Sequence, residues 1–177
     1  LRIMGYSVYD TDSEAKRLME SSLEVVQKLS ECFGRDIYHN GRLNRGLLSS
    51  RVFGKSDKIV LLNSIVHPVV RFDFYRWSES LNEEICFVES AILYEAGFQD
   101  TVDAVIMVYA PVELRIQRAM YRDGASEEQV RARIAAQMDD EEKRRRADFT
   151  VVNDGVQLLI PQLNRIVEQL KTEKFIL

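Results

Sequence analysis

Four short apolar runs stand out along the chain, separated by longer segments with helical periodicity. The runs are "YSVYD" (6–10), "ICFVES" (85–90), "DAVIMVYA" (103–110) and "DFTVVN" (148–153). Near-continuous hydrophobicity of this kind is typical of strands buried on both faces, as in parallel sheets. Pro111 and the capping-box pair Ser126 and Gln129 mark the starts of two helices. This alternation predicts βαβ units and a layered α/β fold.

The segment between the first two strands is longer than a crossover requires. Residues 13–84 carry only helical signals, in "SLEVVQKLSECFG", "LNRGLLSSRVFG" and "SDKIVLLNSIVHPVVRFDFYRWSESLN", whereas a crossover needs only about a dozen residues. They predict a helical subdomain over the carboxyl edge of the sheet, where open α/β sheets bind ligands. His67 precedes Pro68, which predicts a helix boundary there. His39, in the turn "YHNGRL", carries no functional signal.

Two carboxylates, Asp10 and Asp12, follow the first run where a strand changes to a helix. In an extended segment, residues i and i+2 lie on one side, so both acids are predicted to face the same way. Thr11 and Glu14 also fit a capping box. Capping needs only one oxygen-bearing side chain, whereas two parallel acids repel each other and favour a cation or a substrate hydroxyl. The residues alone leave both interpretations open.

An arginine-rich segment extends from Arg118 to Phe149. Arg118 and Arg122 are four residues apart, which places both on one helix face, just before Gly124. The guanidinium fork matches phosphate, so this pair predicts a mobile phosphate clamp. The run 144–146 is predicted to be a solvated face that pairs with neighbouring acids.

Glu89 is predicted at the carboxyl end of the second strand, with Glu95 in the loop beyond it. A carboxylate at the end of a parallel strand suits the alignment of Mg²⁺ near phosphates. The phosphate-loop pattern G-x-x-x-x-G-K-[ST] does not occur in the 177 residues, so the acid alone does not identify a nucleotide site.

Composition narrows the classes of protein. With 46% hydrophobic and 29% charged residues, the chain suits one domain with a sizeable core. A net charge of −4 argues against nucleic acid as a partner. The two cysteines, Cys32 and Cys86, are far apart, which excludes a disulfide framework and favours a reducing compartment. With no apolar run near the roughly 20 residues of a membrane span and no signal peptide pattern, we predict a cytoplasmic location without membrane binding.

Taken in order, five segments resemble the dephospho-coenzyme A kinase family of P-loop kinases. "MGYSVYDTD" is similar to its G-x-x-V-x-D-A-D segment, and "GRLNRGLLSSRVF" with "LLNSIVHPVV" to its helical coenzyme-binding insertion. "ESAILYE" resembles D-x-P-L-L-F-E, "QRAMYRDGASEEQVRARIAAQ" resembles the lid, and "ADFTVVNDG" resembles A-D-x-V-I-x-N-x-G. Glu89 and Ala91 stand where the family has Asp and Pro.

The resemblance implies a single kinase domain with a three-layer, P-loop kinase-like parallel sheet, a helical substrate-binding insertion and a helical lid. The implied core comprises 1–12, 85–117 and 147–177, the insertion 13–84 and the lid 118–146. The implied activity is ATP-dependent phosphorylation of the ribose 3′-hydroxyl of dephospho-CoA, the last step of coenzyme A synthesis. ATP would be the co-substrate and Mg²⁺ the cofactor.

The resemblance also implies roles for individual residues. Asp12 would be the general base, and Asp10 would hold Mg²⁺ or the attacking geometry, with Glu89 acting on Mg²⁺ through water. The residues implied to bind dephospho-CoA are His67, Tyr94 and Glu95. Those implied to bind ATP are Arg118, Arg122 and Asn153.

The family's P-loop lies just upstream of "LRIMG". We therefore expect the 177-residue chain by itself to bind ATP weakly or not at all and to be inactive. Two alternatives stay open: another small-molecule P-loop kinase acting on nucleosides or nucleotides, and a non-catalytic nucleotide-binding fragment. The long insertion with His67 and Pro68 argues against the first. We expect a monomer or a small homo-oligomer.

Overall fold

The computed structural model describes residues 1–172, which form two compact units, residues 1–91 and residues from 92 onward. We call these the amino-terminal and the carboxyl-terminal unit. The last five positions of the core predicted for 147–177 lie outside the described residues. No helix within residues 1–172 is both long enough and apolar enough to cross a membrane.

The amino-terminal unit combines a parallel strand pair with four helices. Strand β1 (Val8–Asp10) pairs in parallel with strand β4 (Phe87–Glu89), so that Asp10 is the register partner of Glu89. The elements, in chain order, are β1 (Val8–Asp10), α1 (Thr11–Ser21), α2 (Leu23–Phe33), β2 (Tyr38–His39), β3 (Arg42–Leu43), α3 (Arg45–Val52), α4 (Ser56–Ser80) and β4 (Phe87–Glu89). Helix α4 packs against α1, α2 and α3. Val25, Leu29 and Ile37 are completely buried between these elements.

The end of α2 depends on a glycine. Gly34 follows Phe33 with φ +94°, and a Cβ at position 34 would lie 2.6 Å from Arg51 Nη1. The Arg51 guanidinium instead fills that space, where it donates to the Phe33 carbonyl and pairs with Asp36. One side chain of α3 therefore satisfies one of the free carbonyls at the end of α2.

A short hairpin interrupts the helices of this unit. Strands β2 and β3 pair antiparallel, with Tyr38 opposite Leu43 and His39 opposite Arg42. The two loop residues, Asn40 and Gly41, have φ values of 50° and 75°, and Asn-Gly is the preferred sequence of such turns. The prediction that residues 13–84 contain only helices was therefore wrong, because two-residue strands are too short to produce an alternating pattern.

The helix boundary predicted at His67 was also wrong. Helix α4 continues from Ser56 to Ser80 with Pro68 inside it. Proline costs a helix interior roughly 3 kcal/mol, because it removes an N–H and crowds the preceding turn. Four α4 side chains around Pro68 are buried: Ile65, Val66, Val70 and Phe74. Each contributes about 1.5–3 kcal/mol by burial, so tertiary packing outweighs the local preference.

The carboxyl-terminal unit contains a second parallel strand pair. Its elements are β5 (Ile106–Tyr109), α5 (Val112–Asp123), α6 (Glu127–Ala135), α7 (Asp140–Arg146), β6 (Phe149–Val152) and α8 (Leu159–Thr172). Strands β5 and β6 pair in parallel register, and α8 packs on β6. All four strands predicted from the apolar runs are confirmed. The capping box of Ser126 and Gln129 is also confirmed, while Pro111 lies one position before α5 rather than in its first position.

Candidate active site

Asp10 caps the helix that follows β1. Its Oδ1 accepts hydrogen bonds from the Asp12 and Ser13 amides, both at 3.1 Å, and its Oδ2 accepts from the Ser13 hydroxyl at 2.9 Å. The bond from the Ser13 amide is the main reason why the pKa of Asp10 is lowered, with the Ser13 hydroxyl and the Asp12 amide adding to it. The cap is therefore complete above the ordinary carboxyl pKa and weakens as pH falls through the lowered one.

Thr11 does not cap α1, so the capping box predicted for Thr11 and Glu14 was wrong. Because β1 ends at Asp10, the Asp10 side chain reaches the free amides first. The Thr11 hydroxyl instead donates to the Glu89 carbonyl at 2.9 Å, which links the start of α1 to the end of β4.

Asp12 lies in the first turn of α1 and is exposed. It is not in an extended segment, so the reason given for the two acids facing the same way was wrong. The amino end of a helix carries a partial positive charge that favours a carboxylate. Asp10 and Asp12 are therefore unequal: one is bound to the backbone, and the other is open to solvent.

Glu89 ends the strand beside β1 and is exposed. Its register pairing with Asp10 places two carboxylate residues at the carboxyl ends of adjacent parallel strands. Among residues 1–172, no group of three or more His, Cys, Asp or Glu residues could hold a metal ion. A cation bound here would take at most part of its oxygen ligands from the described residues.

His67 lies in the middle of α4 and is half-buried. Burial and then the nearby Arg71 charge lower its pKa. The imidazole is therefore neutral at neutral pH, and it can donate or accept a hydrogen bond without carrying charge.

The two arginines predicted to form a phosphate clamp lie on α5 in the carboxyl-terminal unit. Arg118 Nη1 donates to the Asn153 carbonyl at 2.9 Å, so the structure brings together two residues predicted to bind ATP. Arg122 Nε donates to Asp123 at 2.8 Å. Helix α5 then ends at Gly124, which has φ 64°.

Ion pairs that the sequence did not suggest tie α6 to α5. Arg131 Nη2 lies 3.0 Å from Glu113, and Arg133 Nη1 lies 3.0 Å from Asp123. Asp123 therefore holds arginines from both helices. Many acidic and basic residues lie close together in this part of the sequence, so spacing alone could not identify which of them form ion pairs.

The arginine run at 144–146 mostly behaves as predicted. Arg145 and Arg146 both pair with Glu142, as expected for a surface helix. The Arg144 guanidinium instead lies over the Tyr109 ring, 5.5 Å from its centroid.

Tyr94 and Glu95 lie in the loop before β5, where both contact the segment that follows α6. The Glu95 carboxylate accepts from the Met138 amide at 2.7 Å and lies 3.5 Å from Lys143 Nζ. Burial alone would raise the pKa of Glu95, but the Met138 amide and Lys143 lower it overall. Arg146 lies 5.7 Å above the Tyr94 ring. Sequence reasoning missed Lys143 and Met138, since neither belongs to a recognisable motif.

Known proteins match nearly all of this chain. A family model described as dephospho-CoA kinase matches residues 1–158. The dephospho-CoA kinase of Bacteroides fragilis is 42% identical over 168 residues, which cover 94% of this chain and 82% of that protein. That of Porphyromonas gingivalis is 41% identical over 175 residues, covering 98% and 87%.

Two solved structures have the same fold. The crystal structure of TT1252 from Thermus thermophilus is 34% identical with a TM-score of 0.81, and the match covers 96% of this chain and 87% of that one. Dephospho-CoA kinase from Campylobacter jejuni is 25% identical with a TM-score of 0.64, covering 96% and 86%. The parallel strands, the helices and these neighbours define a P-loop kinase-like α/β protein. Within that class, the chain belongs to the dephospho-CoA kinase family.

Proposed function

We propose that the protein transfers the γ-phosphoryl group of ATP to the ribose 3′-hydroxyl of dephospho-CoA. The observation that carries this proposal is the family match over residues 1–158, which includes Asp12 and the α5–α6 segment. Phosphoryl transfer depends mainly on positioning and charge neutralisation. The described residues supply both kinds of group, since the amino-terminal unit has exposed acids and the carboxyl-terminal unit has exposed arginines.

Asp12 is the proposed general base. It is exposed and follows a cap that fixes the backbone carrying it, because Asp10 binds the Asp12 amide. A carboxylate held in this way accepts the proton of the attacking hydroxyl as the bond to phosphorus forms. Asp10 is therefore a positioning residue for Asp12 as well as the proposed metal ligand.

The proposed metal is Mg²⁺, with Asp10 as a ligand and Glu89 acting through water. Both supply hard carboxylate oxygens at adjacent strand ends, which is the chemistry Mg²⁺ prefers. Mg²⁺ usually takes only one or two carboxylates from a protein and completes its shell with water and phosphate. The metal would neutralise charge on the transferred phosphate.

For ATP we propose Arg118 and Arg122 as phosphate partners and Asn153 as part of the adenine site. For dephospho-CoA we propose His67, Tyr94 and Glu95. Because the Glu95 carboxylate is already engaged by Met138 and Lys143, its contribution is to hold the segment after α6. His67, neutral and half-buried, suits an uncharged part of the coenzyme.

The division into a core, an insertion at 13–84 and a lid at 118–146 is likewise proposed. So are a cytoplasmic location, a monomer or small homo-oligomer, and the lack of a nucleic-acid partner. The net charge of −4 supports the last of these.

Two substitutions at Asp10 should separate its roles. Asp10→Asn keeps the helix cap, because Asn caps as well as Asp, and should raise the Mg²⁺ concentration for half-maximal activity. Asp10→Ala should also cost about 0.5–2 kcal/mol of stability, a melting-temperature drop of about 2–4 °C per kcal/mol. Thermal denaturation and Mg²⁺ titration of activity measure the two effects. An unchanged Mg²⁺ requirement in Asp10→Asn would exclude Asp10 as a metal ligand.

The acceptor itself can be tested with the protein and MgATP. We expect phosphorylation of dephospho-CoA, with the new phosphate on the ribose 3′-oxygen by phosphorus NMR. Nucleosides and nucleoside monophosphates, offered at the same concentration, should react at under a hundredth of that rate. Preferential phosphorylation of a nucleoside or nucleotide would favour the other small-molecule kinase, and no transfer to any acceptor would favour a binding protein.

A further inference from the structure

An open cleft of about 440 Å³ lies in the amino-terminal unit, between α1, α4 and β1. It is lined by two acids, two arginines and two aromatic rings, together with Ser80. These residues are Glu14, Asp73, Arg17, Arg76, Tyr9 and Trp77. None of them belongs to the residues proposed above, although Glu14 is only two positions beyond Asp12.

The aromatic side of the cleft is preorganised. The Tyr9 ring packs against Phe74 and Trp77, with ring centroids 5.4 and 5.3 Å apart. Tyr9 and Phe74 are buried, whereas Trp77 is only partly buried and lines the cleft. The indole is therefore held in place by other rings while part of it stays accessible, as a stacking platform requires.

The polar side is held by a hydrogen-bond network. The Tyr9 hydroxyl donates to Asp73 Oδ2 at 2.8 Å, and Arg17 Nη2 donates to the same oxygen at 2.6 Å. Arg17 Nε also donates to Glu14 at 2.5 Å. Burial and then the hydrogen bond to Asp73 raise the pKa of Tyr9, so its hydroxyl remains a donor. Arg17 is thus neutralised by two acids.

Arg76 is different, because it is exposed and forms no ion pair within residues 1–172. The two acids and two arginines cancel in charge, so the cleft as a whole suits a neutral ring that has both donors and acceptors. The Arg76 guanidinium remains for an anionic group next to that ring. A planar base joined to phosphate has this combination of properties.

We infer that this cleft receives the base and the adjoining phosphate of the acceptor nucleotide, with the base stacked on Trp77 and the phosphate near Arg76. The inference rests on the proposed function. Arg17 lies about 7.5 Å along the α1 axis from Asp12, at about 1.5 Å per residue. A nucleoside can span that length, with its ribose toward Asp12.

The experiment uses a feature of the composition: Trp77 is the only tryptophan in the 177 residues. Intrinsic fluorescence therefore reports on the cleft directly. Titration of the protein with dephospho-CoA should quench this emission saturably, at the concentrations where calorimetry detects binding. Pantetheine 4′-phosphate, which lacks the base, should leave the emission unchanged, and ATP should quench it far more weakly than dephospho-CoA.

Substitutions then separate stacking from packing. Loss of a stacked base costs about fivefold or more in affinity, so Trp77→Leu should weaken dephospho-CoA binding by at least about fivefold. Trp77→Phe keeps an aromatic platform, so its affinity for dephospho-CoA should stay within about threefold of that of the unsubstituted protein. This second variant separates the loss of stacking from a folding defect. Arg76→Gln should weaken the binding of dephospho-CoA but not the binding of adenosine. Arg35→Gln, at another exposed arginine, should change neither.

The outcomes distinguish this inference from the proposed function. If dephospho-CoA binds and is phosphorylated while Trp77 emission and the Trp77 and Arg76 variants are unaffected, the cleft is not the acceptor site and the proposed function stands. Equal quenching by ATP would overturn the assignment to the acceptor. If dephospho-CoA neither binds nor reacts, both the proposed function and the inference fail.

Discussion

Asp12→Asn should lower kcat of the enzyme by about 10²–10⁴, the usual cost of removing a general base. Asparagine keeps the size and the exposed position of the side chain but cannot accept the proton of the attacking hydroxyl. The cap should survive, because Asp10 binds the backbone amide of residue 12 rather than its side chain. We therefore expect the affinity for dephospho-CoA, measured by calorimetry, to stay within about threefold of the unsubstituted enzyme.

Asp57→Asn is the matched control for this experiment. Asp57 is also an exposed acid in the first turn of a helix, in this case α4. Its replacement should leave kcat unchanged. A loss of less than about fivefold in Asp12→Asn, which is about 1 kcal/mol in the barrier, would exclude Asp12 as the base.

Arg122→Ala should lower kcat/KM for ATP by about tenfold to a hundredfold. A hydrogen bond to a charged group contributes about 1.5–3 kcal/mol, and that range corresponds to this loss. Arg122 is well placed for such a role, because its side chain is 77% exposed and, within residues 1–172, its only ion pair is with the adjacent Asp123. The local fold should persist, since Arg133 still pairs with Asp123.

Arg145→Ala provides a close comparison. Arg145 is 74% exposed and pairs with one nearby acid, Glu142, so it resembles Arg122 in exposure and in having a single acidic partner. Its loss should change kcat/KM for ATP by less than about twofold, as for other exposed ion pairs. Equal effects of the two substitutions would mean that the distinction between phosphate-binding and surface arginines is incorrect.

The strands could be predicted from the sequence because their side chains are apolar over several consecutive positions. Residues 104–108 illustrate this, and β5 occupies Ile106–Tyr109. Two local features could also be predicted: the start of α6 after its cap Ser126, and the surface ion pair of Arg145. Both depend on neighbours within four residues. Local interactions of this kind leave a readable pattern.

Errors arose where distant contacts decided the outcome. Pro68 predicts a boundary locally, but residues of α4 on either side of it are buried against other helices. The sequence around Thr11 predicts a helix cap, but its hydroxyl binds the Glu89 carbonyl, 78 residues away in sequence. Glu95 likewise meets Met138 through a separation of 43 residues. The cleft beside Trp77 could not be predicted from the sequence, because the residues that line it come from β1, α1 and α4.

Gly34 affects how the protein's tolerance to substitution should be interpreted. The residue is only half-buried and makes no side-chain contact, so position 34 would be expected to accept many amino acids. Its φ of +94° disfavours nearly all of them, because residues with a side chain rarely adopt that backbone conformation. In a scan of all single substitutions, position 34 should therefore be depleted for a conformational reason alone. Intolerance at this position reflects backbone conformation. Residues that are essential for the backbone must therefore be separated from residues that are essential for the reaction before an intolerant position is assigned to catalysis.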